Sequence, residues 1–240
     1  MTTSSKVAIV VPTYNEAESL SRLAEALFSL GLPNLILVIV DDNSPDGTSS
    51  IARRLSESYE GRILVIDRPR KMGLGTAYKD GFAKALHEGA LHIVQMDADF
   101  SHPPKEIPAM LKKLDSADVV IGSRYTNNTA ADERTALGRK LLSAWANGAI
   151  RIVTGLQVRD TTSGFKAFRR EALEALDWSS FKSNGFAFQA EVAHACQRKG
   201  MQLVEHPFVF SDRIAGHSKM TWSIIAEAVL RLSLLRFKNS

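Results

Sequence analysis

The sequence predicts an α/β fold in which a mostly parallel sheet is flanked by helices, and three observations carry that reading. Short β-branched runs alternate with segments of helical period, polar residues gather where those runs end, and no repeat or Pro-rich linker divides the chain. The runs Val7 to Val11, Leu35 to Val40, Ile63 to Ile66, Ile93 to Met96 and Val119 to Ile121 read as buried strands. Single helices between successive strands imply right-handed crossovers, and therefore parallel neighbours.

The helices have their own signatures. Leu20, Leu23, Leu27 and Leu30 recur at helical spacing after Asn15, an expected N-cap with Glu18 in capping-box position. Ile107, Met110, Leu111 and Leu114 give another apolar face. Beyond Thr126 the rhythm changes: a polar stretch, Asn127 to Arg134, precedes a helical run from Leu137 to Val153 and a loop around Asp160 to Phe165. A helix over roughly Phe188 to Arg198 follows, and the apolar run Phe208 to Phe210 is a candidate for a further strand. The whole chain, 1–240, reads as one domain with an elaborated C-terminal third.

Near its end, Trp222 to Phe237 spans 16 residues and contains Glu227, Arg231 and Arg236. A bilayer span needs about 20 mainly apolar residues, so this segment is not expected to cross one. Its Ile225, Val229, Leu232 and Leu235 form an amphipathic helix that suits either a membrane interface or a core face.

Composition narrows the partners. The 30 Lys and Arg against 26 Asp and Glu leave a net charge of +4, a mild basic bias that suits anionic ligands or headgroups and falls far short of a nucleic-acid stripe. Cys196 is the only cysteine, which excludes an intrachain disulfide and a Cys-based zinc site and suits a reducing, cytoplasmic compartment. The polar start, Met1 to Lys6, lacks the features of a signal peptide.

In open parallel sheets ligands sit beyond the carboxyl ends of the strands. Here the first strand runs into Pro12-Thr13-Tyr14-Asn15-Glu16, the second into Asp41-Asp42-Asn43-Ser44-Pro45-Asp46-Gly47-Thr48, and the fourth into Asp97-Ala98-Asp99. Carboxylates crowded at one edge repel unless a cation compensates. Asp97 and Asp99 project to one side at a strand end and suit a hard cation, Mg2+ or Mn2+, with no His or Cys cluster to favour a softer one. Asp42 is a candidate acceptor for hydrogen bonds from a base or ribose, and Tyr14 offers a flat face. Gly73-Leu74-Gly75 lacks the third glycine of a dinucleotide fingerprint, although Lys71 beside it can approach a phosphate. His87 and His92 are five apart, the wrong spacing for a helical zinc pair, and read as surface residues.

These three strand-end motifs, the last extended through Phe100-Ser101-His102-Pro103, resemble the nucleotide-sugar half of inverting GT-A glycosyltransferases of family 2. More narrowly, the chain is similar to dolichyl-phosphate or polyprenyl-phosphate mannose synthases. The resemblance continues through Ser123-Arg124-Tyr125, Asp160-Thr161-Thr162-Ser163-Gly164-Phe165, Phe188-Gln189-Ala190-Glu191 and Arg213 to Ser218-Lys219. It implies a Rossmann-like GT-A sheet, with a nucleotide-sugar half over about 1–125 and an acceptor half over about 126–240. It further implies that Pro12, Tyr14, Glu16, Val40 and Asp42 hold the nucleoside of GDP-mannose. Asp97, Ala98 and Asp99 would bind metal and diphosphate, with Ser101 completing the coordination directly or through water, and Arg213 and Lys219 would bind donor phosphates.

The acceptor of such enzymes is a polyprenyl or dolichyl monophosphate, met at a membrane surface or beside a membrane-anchoring partner, which implies a peripheral place on the cytoplasmic face. Arg139, Ser143 and Asn147 lie at i, i+4 and i+8 on one helix face as an expected phosphate cradle that Arg124 can join. A phosphate monoester is already anionic near neutral pH, so the expected catalytic residues are Asp97, Asp99 and Arg124 rather than a general base. Glu191 is then structural or sugar-positioning. Transfer to a glycan hydroxyl would instead need a base, Glu191 or Asp160, and a different nucleotide sugar, such as UDP-glucose, is the other alternative within the fold. Two readings outside it are a dehalogenase-like phosphatase, whose aspartate loop follows the first strand rather than the fourth, and a non-catalytic nucleotide or lipid-phosphate binding protein.

Overall fold

A computed structural model of the chain describes residues 5–126, 137–183 and 185–210, with the backbone alone for 137–142 and 186. Seven strands form one sheet in the order β3-β2-β1-β4-β6-β5-β7. They are β1 (Val7–Thr13), β2 (Leu35–Asp41), β3 (Ile63–Asp67), β4 (His92–Gln95), β5 (Val119–Ser123), β6 (Lys166–Arg169) and β7 (Leu203–Pro207). All neighbours run parallel except β6, which is antiparallel to both β4 and β5.

β1 and β2 are almost wholly apolar because both faces are covered. Side-chain alternation along β1 sends Val7, Ile9 and Val11 into one layer, against Leu20, Leu23 and Leu27 of α1 (Leu20–Phe28) and Ile107, Met110 and Leu111 of α4 (Ile107–Lys113). Ala8 and Val10 face the other layer, packed with Tyr78 and Phe82 of α3 (Leu74–His87) and Phe188 and Val192 of α7 (Gly185–Arg198). Each buried leucine contributes about 1.5–3 kcal/mol. The remaining helices are α2 (Thr48–Ser58), α5 (Leu137–Thr154) and α6 (Arg170–Glu174), with a 3₁₀ turn at Pro104–Glu106. No helix among the described residues is long and apolar enough to cross a membrane.

Two local expectations are corrected, and one strand is new. Asn15 is not an N-cap: it sits at φ 63°, its N–H donating to Ser44 Oγ at 3.0 Å, and α1 begins later with Ser19 as N-cap. The added strand is β7, Leu203–Pro207 paired with β5, and Phe208 to Phe210 follow it, with Phe208 N still donating to Ser123 O at 3.2 Å. β6 itself was not anticipated, since four residues with a lysine among them carry no strand periodicity. Its reversed direction matters for function. It delivers the preceding loop, Asp160 to Phe165, to the edge where β1, β4 and β5 end.

Candidate active site

The loops after β1 and β2 are clamped together. Asp41 accepts from Thr13 Oγ1 at 2.8 Å, Ser44 Oγ at 2.6 Å and Ser44 N at 2.9 Å, while Glu16 N donates to Thr48 Oγ1 and Ala17 N to Asp46. Pro12, Tyr14 and Glu16 are half-buried along this clamp. Lys71 Nζ lies 3.6 Å from the centre of the Tyr14 ring, a cation–π contact that places a positive charge beside a flat aromatic face. Val40 is fully buried, so its side chain belongs to the core and supports the site from below; the expectation that it lines the nucleoside is corrected to that extent.

Asp42 is buried and heavily engaged. Arg68 Nη1 donates to its Oδ1 at 2.6 Å, and the N–H groups of Met72 and Gly73 donate to Oδ2 at 3.1 and 3.0 Å. Arg68 also reaches Thr76 Oγ1 at 2.6 Å and Asp80 at 3.3 Å. Asp42 therefore fixes the loop that carries Lys71.

β4 stops at Gln95, and the next residues form a tight acidic loop. Asp99 Oδ1 accepts from Ser101 N at 3.0 Å, and Phe100 between them holds φ 64°, a conformation that costs an aromatic residue on the order of 1–3 kcal/mol. Asp97 N donates to His102 Nδ1 at 3.0 Å, which places the proton of the neutral imidazole on Nε2. The His102 ring stacks on Phe165 at 5.2 Å. Tyr78 Oη donates to Asp97 Oδ1 at 3.4 Å; burial, then the negative charges of Asp97 and Asp99, push the phenol well above the usual tyrosine range and keep it a donor.

These residues fit a hard divalent cation. Ser101 Oγ is fully buried with no hydrogen-bond partner, an orphaned oxygen in the loop that carries the two carboxylates. The donor set is all oxygen. Among the described residues no three His, Cys, Asp or Glu side chains converge on one point. Asp97 stays partly open while Ala98 and Asp99 are buried.

The 160–165 loop closes the other side. Arg124, at the end of β5, donates from Nε to Asp160 Oδ2 at 2.7 Å and from Nη2 to Asp160 Oδ1 at 2.8 Å. Its fork is thus filled by a carboxylate, which corrects the expectation of a guanidinium presented to a phosphate. Asn147 of α5 pins the same loop, accepting from Thr161 N at 2.9 Å and Thr161 Oγ1 at 2.8 Å. Ser143 is buried against Tyr125 Oη at 3.0 Å, so the Ser143–Asn147 edge of the expected cradle faces inward and supports the loop. Arg139 lies on α5, its side chain outside the described residues, as are Arg213, Lys219 and the segment Trp222 to Phe237. Glu191 accepts from the N–H groups of Lys182 and Ser183 at 3.3 and 3.0 Å, a structural role.

The clamped loops and the acidic strand end lie within a stretch of the chain that one family model covers. Residues 8–177 match the model described as "Glycosyl transferase family 2". This chain belongs to that family.

Among its relatives in the family, the chain is 37% identical over 229 residues to a polyprenol monophosphomannose synthase of Mycolicibacterium smegmatis, covering 95% of this chain and 86% of that protein. It is 38% identical over 234 residues to an undecaprenyl-phosphate mannosyltransferase of Micrococcus luteus, covering 95% and 93%. The fold is that of glucosyl-3-phosphoglycerate synthase from Mycobacterium tuberculosis, solved with Mn2+ and UDP-glucose, with a TM-score of 0.65 at 18% identity over 97% of this chain and 78% of that one. A mannosyltransferase from Pyrobaculum calidifontis, solved with GDP-mannose and Mn2+, gives 0.63 at 19% identity over 98% and 64%. The sheet is therefore the GT-A sheet of this family.

Gln95 and Lys166 are residues at this edge to which the sequence alone assigns no role. A signal is present for both: each is a polar residue beside apolar neighbours, Gln95 between Val94 and Met96 and Lys166 between Phe165 and Ala167.

Proposed function

We propose that the protein transfers mannose from GDP-mannose to a polyprenyl monophosphate, with inversion at the anomeric carbon, using Mg2+ or Mn2+ held by Asp97 and Asp99. The observation that carries this reading is the similarity to two polyprenyl-phosphate mannose transferases over 95% of the chain. The site supports it chemically. Asp160 is fully buried in its pair with Arg124, and Glu191 is committed to backbone N–H groups, so neither candidate base is presented to a hydroxyl acceptor. An ionised lipid phosphate needs no such base.

In this reading a phosphate oxygen attacks C1 of mannose, the bond from C1 to the diphosphate oxygen breaks, and GDP leaves. The cation, when bound, offsets the charge that grows on that departing diphosphate. The chain's own residues align the partners. Tyr14 and the Asp42-anchored loop hold the nucleoside, Lys71 meets phosphate charge, and Arg139 takes the acceptor phosphate. The lipid acceptor places the reaction peripherally at a membrane, on its cytoplasmic face.

Incubation with Mn2+, a short polyprenyl phosphate and separately labelled nucleotide sugars tests the reading. Label from GDP-mannose should enter the organic phase. Label from UDP-glucose alone, or none, would refute it.

A further inference from the structure

Under the 160–165 loop lies a polar cluster that the reading above does not use. Lys166 of β6, Gln95 of β4 and Gln189 of α7 are all essentially inaccessible to solvent. Gln95 Nε2 donates to Gly164 O at 2.9 Å and to Gln189 Oε1 at 2.6 Å. Lys166 Nζ donates to the same Gln189 Oε1 at 2.7 Å and to Ser163 O. Two consecutive carbonyls of the loop are therefore gripped from beneath by one connected network.

That grip sets a wall of the acidic site. Gly164 packs so closely that a Cβ placed on it would lie 3.2 Å from His102 Cε1 and 3.6 and 3.7 Å from the Asp97 carboxylate oxygens. Raising or tilting the loop would move backbone against both groups.

The cluster is costly for the fold. Gln95 Oε1 and Gln189 Nε2 are buried without partners, and no carboxylate among the described residues forms an ion pair with Lys166. Apolar side chains of similar volume would suit this place at least as well for stability. Burial also pushes the Lys166 amine down to about 7, against the opposing pull of Asp160, Cys196 and Asp97. Its two acceptors match the two N–H donors of a neutral amine.

We propose that Lys166, acting through Gln189 and Gln95, is a positioning residue that fixes the Ser163–Gly164 carbonyls and so the wall beside Asp97 during sugar transfer. The proposal rests on the transferase reading and adds to it a residue remote from the reacting atoms.

The test compares Lys166→Met, Gln189→Met and the double variant with wild type. The expected result is a kcat lower by about tenfold or more in each, with the double variant no worse than the lower single, because all three release the same loop. GDP affinity in the presence of Mn2+ should stay within about threefold, and the double variant, which removes both partners, should keep a higher thermal midpoint than Gln189→Met, which leaves the buried Lys166 amine short of an acceptor. Amide hydrogen exchange over residues 161–164 should accelerate in every variant. Wild-type kcat in a folded Lys166→Met, or a kcat loss that only follows lowered stability, overturns the proposal. Should Lys166→Met not fold, Gln189→Met, which keeps the Lys166 contact to Ser163, decides in the same way. If wild type turns out to use another nucleotide sugar, the donor reading alone fails, and the variants are compared with that donor.

Discussion

Arg124 and Asp160 form a buried, two-pronged ion pair, Nε to Oδ2 at 2.7 Å and Nη2 to Oδ1 at 2.8 Å, and the backbone N–H of Arg124 adds a third bond to Oδ2 at 3.1 Å. The pair ties the end of β5 to the loop before β6. Asp160→Asn leaves a buried guanidinium without its counter-charge and is expected to cost about 3–5 kcal/mol in urea unfolding. Unchanged stability with an isolated loss of kcat would instead make Asp160 a general base.

Lys166 gives the fold a pH dependence with a definite sign. Its folded amine titrates at about 7, against an ordinary 10.5, so between those values the unfolded chain holds a proton that the folded chain has released. Stability from this group therefore rises as pH climbs from about 7 toward 10, by up to roughly 1.4 kcal/mol per unit, and is flat below. Urea midpoints for wild type minus Lys166→Met at pH 6.5, 8 and 9.5, all about the values that bracket the window, should show that slope. A constant difference would mean the lysine stays charged throughout.

Tyr14 presents one face to Lys71 at 3.6 Å and is assigned to the nucleoside. Removing an aromatic platform beneath a base costs about 1–3 kcal/mol, so Tyr14→Ala should weaken GDP binding about tenfold or more while Tyr14→Phe keeps it. Equal affinity for Tyr14→Ala in a calorimetric titration would move the base elsewhere.

The contrast between what the sequence disclosed and what it hid has physical causes. β1, β2 and β5 were legible because both faces are buried and their residues are almost all apolar. Asp97 and Asp99 stood out because carboxylates directly after such a run have no role in a core. β6 was hidden by its brevity and by Lys166, and with it the route that carries Gly164 to the acidic loop. The Arg124–Asp160 pair joins residues 36 apart, beyond any local pattern, so two residues read as available for chemistry turned out to satisfy each other. For Ser143, helical spacing named the face correctly but not its direction, since Tyr125 comes from the β5 loop to cover it.

The central claim is that the strand-end carboxylates bind the donor through a divalent cation. Calorimetric titration of GDP-mannose into wild type and Asp99→Asn, each with Mn2+ and with chelator, tests it most directly. The account predicts tight binding to wild type only with Mn2+, and weak, metal-independent binding to Asp99→Asn. Equal affinity of wild type with and without the cation would contradict it.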